Sequence, residues 1–174
     1  MWRSLTILMS LANSIKIDPA KRFMAEKKRV LILGTGNAAR SQMAEGLLRY
    51  EAGGTCEVFS AGTNPSQVRQ EAIGVMSEIG IDISGHRSKS VDAVIGQEFD
   101  CVITVCDHAK ELCAVFPGRA KHLHWSFGDP AAAQGSEEER RAAFRRIRDE
   151  LQERIRTFLW ATLWATPHWH PIRK

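Results

Sequence analysis

Four short apolar runs, separated by stretches of helical periodicity, restrict the fold of this chain more than any other feature. The runs are "VLIL" (30–33), "CEVFSAGT" (56–63), "DCVITVC" (100–106) and the weaker "KHLHWSF" (121–127). The first is followed by "SQMAEGLLRYEAG", with Met43, Ala44, Leu47 and Leu48 on one helical face. The second leads to "VRQEAIGVMSEIG" (68–80), where Ile73, Met76 and Ile79 share a face and Gly80 is a C-terminal stop. The last leads to "SEEERRAAFRRIRDELQERIRTFL", which opens on a capping box, Ser136 and Glu139, and carries an apolar stripe of Phe144, Ile147, Leu151, Ile155 and Phe158. Strand and helix in alternation predict an α/β fold of three layers, a four-stranded parallel sheet flanked by helices.

A chain of 174 residues is long enough to bury one core without disulfide or metal staples. The expected organisation is an N-terminal extension (1–29), a single domain (30–160) and a tail (161–174). The net charge of +4 resides in the extension, where seven basic residues face two acidic ones. The remaining residues hold 17 basic and 18 acidic side chains, so the body gives no charge argument for nucleic acid. No apolar run approaches the roughly 18–20 residues that span a bilayer. The start, "MWRSLTILMSLANS", faintly resembles a secretion signal, but its apolar core is short. An upstream start, with Met24 opening the folded domain, is the plainer reading. Cys56, Cys101, Cys106 and Cys113 do not suggest a disulfide framework, so a reducing cytoplasm is expected. The tail repeats "LWAT" and ends with His168 and His170, which give no sufficient ligand set, and no metal site is expected.

Between "VLIL" and the first helix lies "GTGNAARS" (34–41). Parallel sheets place their sites at the carboxyl ends of strands, where this loop falls. A nucleoside triphosphate loop is excluded, because no Gly-Lys-Ser/Thr follows the glycines. A dinucleotide fingerprint matches Gly34, Gly36 and Ala39, but the acidic partner at the ribose, Glu57, stands at the start of the second strand instead of its end. A third reading uses Arg40: backbone N–H groups of residues 35–40 form a nest, a helix N-terminus adds positive potential, and the guanidinium grips two oxygens. Such a bowl suits a tetrahedral oxyanion. The plain alternative is a tight turn before a helix, with Arg40 solvated.

The motifs "TGNAARSQMAEGLL", "FSAGT", "IGIDISGHRSKS", "FDCVITVCDHAKELC", "VFPG" and "HWSFGDP", in that order, resemble the thioredoxin-coupled arsenate reductases, which share the low-molecular-weight tyrosine phosphatase fold. The resemblance runs from about Val30 to Leu159. It implies that Thr35, Gly36, Asn37, Ala38, Ala39, Arg40 and Ser41 surround the oxyanion, that Asn37 holds the strained loop backbone, and that Ser41 hydrogen-bonds the site. Asp129, followed by Pro130, matches the family's general acid. Cys106 and Cys113 match the second and third thiols of a relay that ends on thioredoxin. No bound cofactor and a monomeric state are implied as well.

One position departs from the pattern. The family's nucleophilic cysteine stands six residues before the arginine, and here that residue is Gly34. Thr35 is a step along the loop and has no obvious base. The resemblance therefore implies reduction of arsenate to arsenite on a scaffold whose covalent step is lost or strongly impaired. Two alternatives stand beside it. One is a non-catalytic protein that holds arsenate or phosphate. The other is a tyrosine phosphatase, against which "DPAAAQG" offers only small side chains where that branch places aromatic residues.

Overall fold

The computed structural model describes residues 27–106 and 120–164. Residues 1–26, Cys113 and the histidines of the tail lie outside that description. Strand β1 (Lys28–Gly34) is followed by helix α1 (Arg40–Glu51), strand β2 (Cys56–Gly62), helix α2 (Gln70–Ser77), strands β3 (Cys101–Thr104) and β4 (Lys121–His124), and helix α3 (Glu137–Leu159). The four strands form one parallel sheet in the order β2-β1-β3-β4.

The sheet explains why "VLIL" is an unbroken apolar run. Val30 and Ile32 face one core, with Met43 and Leu47 of α1, Val75 and Met76 of α2, and Phe144, Ile147, Leu151 and Ile155 of α3. Leu31 and Leu33 face a second core, where they meet Val102 and the segment bearing Val91, Val94 and Phe99, which includes a 3-10 turn (Val91–Ala93). A central parallel strand buried on both faces has no polar side to show. Each fully buried Leu or Ile contributes about 1.5–3 kcal/mol. Cys56 and Cys101 belong to the first core, as packing residues. Burial pushes the Cys56 thiol above its ordinary range, which suits an inert sulfur.

Strand β1 begins at Lys28, two residues before the predicted boundary. Asp100 supplies the reason: it accepts from the Arg29 amide at 2.9 Å and pairs with Lys28 Nζ at 2.8 Å. The Arg29 guanidinium lies 4.9 Å from the Phe59 ring centre and 5.0 Å from that of Phe99. One cation thus fastens the amino end of the sheet.

Helix α3 has the predicted capping box. The Ser136 amide donates to Glu139 Oε2 at 2.7 Å, and the Glu139 amide donates to Ser136 Oγ at 3.3 Å. The helix ends in a π-helical turn (Trp160–Trp164). Helix α2 is shorter than its sequence pattern, and Gly80 past its end has φ +77°, as a left-handed stop requires. Arg145 of α3 reaches Glu78, just beyond α2, through Nε and Nη2, both at 2.8 Å.

The register aligns Gly34 with Gly62 and Leu33 with Thr104. The carboxyl ends of β1, β2 and β3 therefore meet. The chain leaves β1 towards β2 on one side and returns to β3 on the other, so the loop after β1 sits at the point where the strand order reverses.

Candidate active site

Residues 35–39 connect β1 to α1, and their backbone is turned with one polarity. The carbonyls of Gly34, Thr35, Gly36 and Ala38 accept from the amides of Thr63, Asn64, Ser66 and Arg69, at 2.9–3.3 Å. The Asn37 carbonyl accepts from Gln42 Nε2 and Ser88 Oγ. The amides of Gly36, Asn37, Ala38 and Ala39 donate to no described residue. Helix α1 starts at Arg40 behind an alanine that offers no side-chain cap, and its first turn carries no acidic residue. Loop amides and an uncapped helix start thus share one concavity, the arrangement that receives an anion.

Asn37 holds this geometry. It has φ +45°, a region few non-glycine residues occupy, and only 1% of its surface is exposed. Its Nδ2 donates to Ser60 Oγ at 2.8 Å and Ser41 Oγ at 3.1 Å. Its Oδ1 accepts from the Lys89 amide at 2.8 Å and from Gln42 Nε2 at 2.9 Å. Behind it Ser60 donates a short hydrogen bond to Glu45 Oε2, which also lies 3.5 Å from Lys89 Nζ, while the other carboxylate oxygen takes Arg49 Nη2 at 2.6 Å. The buried carboxylate is paired, as burial demands. His86 Nδ1 meets Gln42 Oε1 at 3.0 Å, and burial pushes this imidazole below its ordinary value of 6.5, assisted by Arg49 and Lys89 and opposed by Glu45.

Gly62 of β2 backs the loop closely. A Cβ there would lie 2.5 Å from the Thr35 carbonyl oxygen and 2.9 Å from the Asn37 nitrogen, so only glycine fits. Gly34 is different. Its φ is not positive, and a Cβ would meet Ser41 Oγ at 3.1 Å and Val105 Cγ2 at 3.9 Å. The backbone at 34 therefore accepts a side chain once the Ser41 hydroxyl gives way by a few tenths of an ångström.

The loop opens into a cleft of about 350 Å³, lined by residues 34–41 together with Ser66, Arg69, Val105, Cys106, Asp129 and Ala131. All of the sequence-predicted site residues except Cys113 meet in this cleft. Arg40 Nη1 donates to the Phe127 carbonyl at 2.8 Å, and its Nη2 lies 3.6 Å from Asp129 Oδ1. Asp129 caps the short 3-10 turn Pro130–Ala132 by accepting from the Ala131 amide at 3.2 Å. Cys106 is nearly fully buried, and its Sγ lies 3.2 Å from Thr35 Oγ1. Ser66, Arg69 and Val105 were not marked by the sequence, since they enter the cleft from two other connections, Ser66 and Arg69 from the one after β2 and Val105 from the one after β3, without a local signature.

The family model described as low molecular weight phosphotyrosine protein phosphatase matches residues 29–166. The chain belongs to that family. Within it, this phosphatase-family chain is 46% identical over 132 residues to the arsenate reductase of Halalkalibacterium halodurans, an overlap that spans 76% of this chain and 95% of that protein. An arsenate reductase solved in its phosphate-binding state superimposes with a TM-score of 0.68 at 30% identity, over 77% of this chain and 98% of the other. The thioredoxin-dependent arsenate reductase of Corynebacterium glutamicum superimposes with a TM-score of 0.62 at 28% identity, over 84% of this chain and 68% of the other. This member of the low molecular weight phosphatase family is thus an arsenate reductase homologue with the family's four-stranded parallel sheet.

Proposed function

We propose that this protein binds arsenate or phosphate in the loop of residues 34–41, as an arsenate reductase family member whose covalent step is lost or strongly slowed at Gly34. The supporting observation is the polarity of the loop: its carbonyls are engaged by the protein, while four successive amides donate to no described residue. Thr35, Gly36, Asn37, Ala38, Ala39 and Arg40 would surround the oxyanion, with Arg40 gripping its oxygens and Ser41 at the floor. Asp129 stands where a general acid would protonate a departing oxygen. Cys106 and Cys113 fill the second and third places of a thiol relay, with thioredoxin as electron donor. Action in a reducing cytoplasm as a monomer accompanies this reading.

Binding and turnover separate physically. Anion affinity arises from amides and a guanidinium, all present; the first covalent bond needs a thiolate, which Gly34 cannot supply. Two measurements test the proposal. Calorimetric titration with phosphate and arsenate, without reductant, should show binding that Arg40→Ala weakens at least tenfold. Arsenate-dependent NADPH oxidation through thioredoxin reductase and thioredoxin should rise on the order of a thousandfold or more in Gly34→Cys, the scale on which nucleophiles contribute. Equal rates would overturn the assignment of Gly34. Absence of anion binding would overturn the loop reading.

A further inference from the structure

We propose that Cys106 serves as the first nucleophile of this protein, attacking a bound arsenate directly in place of the thiol missing at residue 34. The proposal rests on the oxyanion reading of the loop and extends it to slow chemistry by a different sulfur.

Three observations carry it. Cys106 lines the same cleft as Arg40 and Asp129 and lies two residues beyond the end of β3. Its Sγ is 3.2 Å from the hydroxyl of Thr35, the first residue of the anion loop after Gly34. That hydroxyl can donate to the sulfur and fixes it against the loop. Gly34 leaves open the volume a side chain would fill, and that volume borders β3's extension, since a Cβ on Gly34 would lie 3.9 Å from the side chain of Val105, the neighbour of Cys106. The other described thiols are at the opposite end of the sheet: Cys101 pairs with Val30, and Cys56 with Lys28. Cys106 is therefore the described sulfur placed to reach an anion in the bowl.

The chemistry closes with a dithiol reductant of the thioredoxin class. The Cys106 thiolate forms a bond to arsenic, and one arsenate oxygen leaves as water after taking protons, with Asp129 in the cleft as a donor. Arsenic is still pentavalent in this adduct. A donor thiolate then attacks Cys106 Sγ. The sulfur–arsenic bond breaks with its electron pair going to arsenic, which departs as trivalent arsenite, and a mixed disulfide forms. The donor's second thiolate attacks the donor sulfur of that disulfide, releasing the Cys106 thiolate and an oxidised donor. Arsenate and a dithiol become arsenite, a disulfide and water.

The test uses the full chain with a thioredoxin whose resolving cysteine is replaced by serine, which stops the sequence at the mixed disulfide. Mass spectrometry should find thioredoxin joined to Cys106, with arsenate raising the yield at least tenfold over phosphate. In the complete coupled assay Cys106→Ser should lower turnover at least tenfold while calorimetric phosphate binding is retained. A conjugate that forms equally without arsenate, or on another cysteine, overturns the proposal. So does natural-protein turnover at background, or turnover unchanged in Cys106→Ser, with phosphate binding intact. If neither protein binds phosphate, the oxyanion reading itself fails, and the Cys106 assignment falls with it.

Discussion

At the scale of single residues, Asn37 combines a left-handed backbone with four side-chain hydrogen bonds to Ser41, Ser60, Gln42 and Lys89. Alanine removes all four bonds and keeps the strained φ, so Asn37→Ala should cost about 2–4 kcal/mol in chemical denaturation and abolish phosphate binding. His86 adds a pH dependence. Its folded pKa lies below the ordinary 6.5, so below that value the unfolded chain holds more protons, and the contribution is lost as pH falls from about 6.5 towards the folded pKa. Melting temperature should rise as pH increases towards the ordinary 6.5 from below, and His86→Gln should flatten that rise. A profile identical in the two proteins would remove His86 as its source. The placement of Arg40 and Asn37 in the cleft was legible because loop, spacing and residue type coincide in eight consecutive residues. The Glu45–Ser60 bond and the Thr35–Cys106 contact were not, because each joins side chains from segments far apart in the chain, a helix and a strand in the first and the connections after β1 and β3 in the second, that only the folded sheet brings together.

Among the elements, α3 was the most readable: its capping box and stripe are local, and both form as the sequence predicts. The end of α2 was less so, because what holds it is remote. Glu78 receives Arg145 through two nitrogens and Arg148 Nη1 at 3.2 Å. The Arg145 hydrogen bonds, more than the opposing burial, hold the Glu78 carboxyl below its ordinary 4.5. For a depressed carboxylate, stability is present above the unfolded value and is lost as pH falls through the folded one. Glu78→Gln should therefore lower the melting temperature at pH 7 by roughly 1–3 °C, the modest effect of a partly exposed pair, and the difference should shrink as pH falls below the ordinary 4.5. The start of β1 was misjudged by two residues for the same kind of reason, since Asp100 and two aromatic rings reach it from afar.

At the scale of the molecule, the two ends of the sheet are electrostatically unlike. The amino end is neutralised by the pairing of Lys28 and Arg29 with Asp100 and Glu57, while the carboxyl end gathers loop amides, the start of α1, Arg40 and Arg69. A ligand that binds only the folded state should stabilise it by about 2.7 kcal/mol at a hundredfold excess over its Kd. Phosphate should therefore raise the melting temperature by several degrees, and Arg40→Ala should erase the shift; an unshifted transition at saturating phosphate would contradict the site. The outward turn of the loop carbonyls also has a kinetic consequence. Backbone protons on Gly36, Asn37, Ala38 and Ala39 have no acceptor among the described residues, so in the free protein they should trade with solvent deuterium within seconds, beside a helix and strands that exchange far more slowly. An oxyanion that fills the bowl becomes their acceptor, and these four positions should slow together. The loop would then report its own occupancy, whether or not any bond to sulfur ever forms.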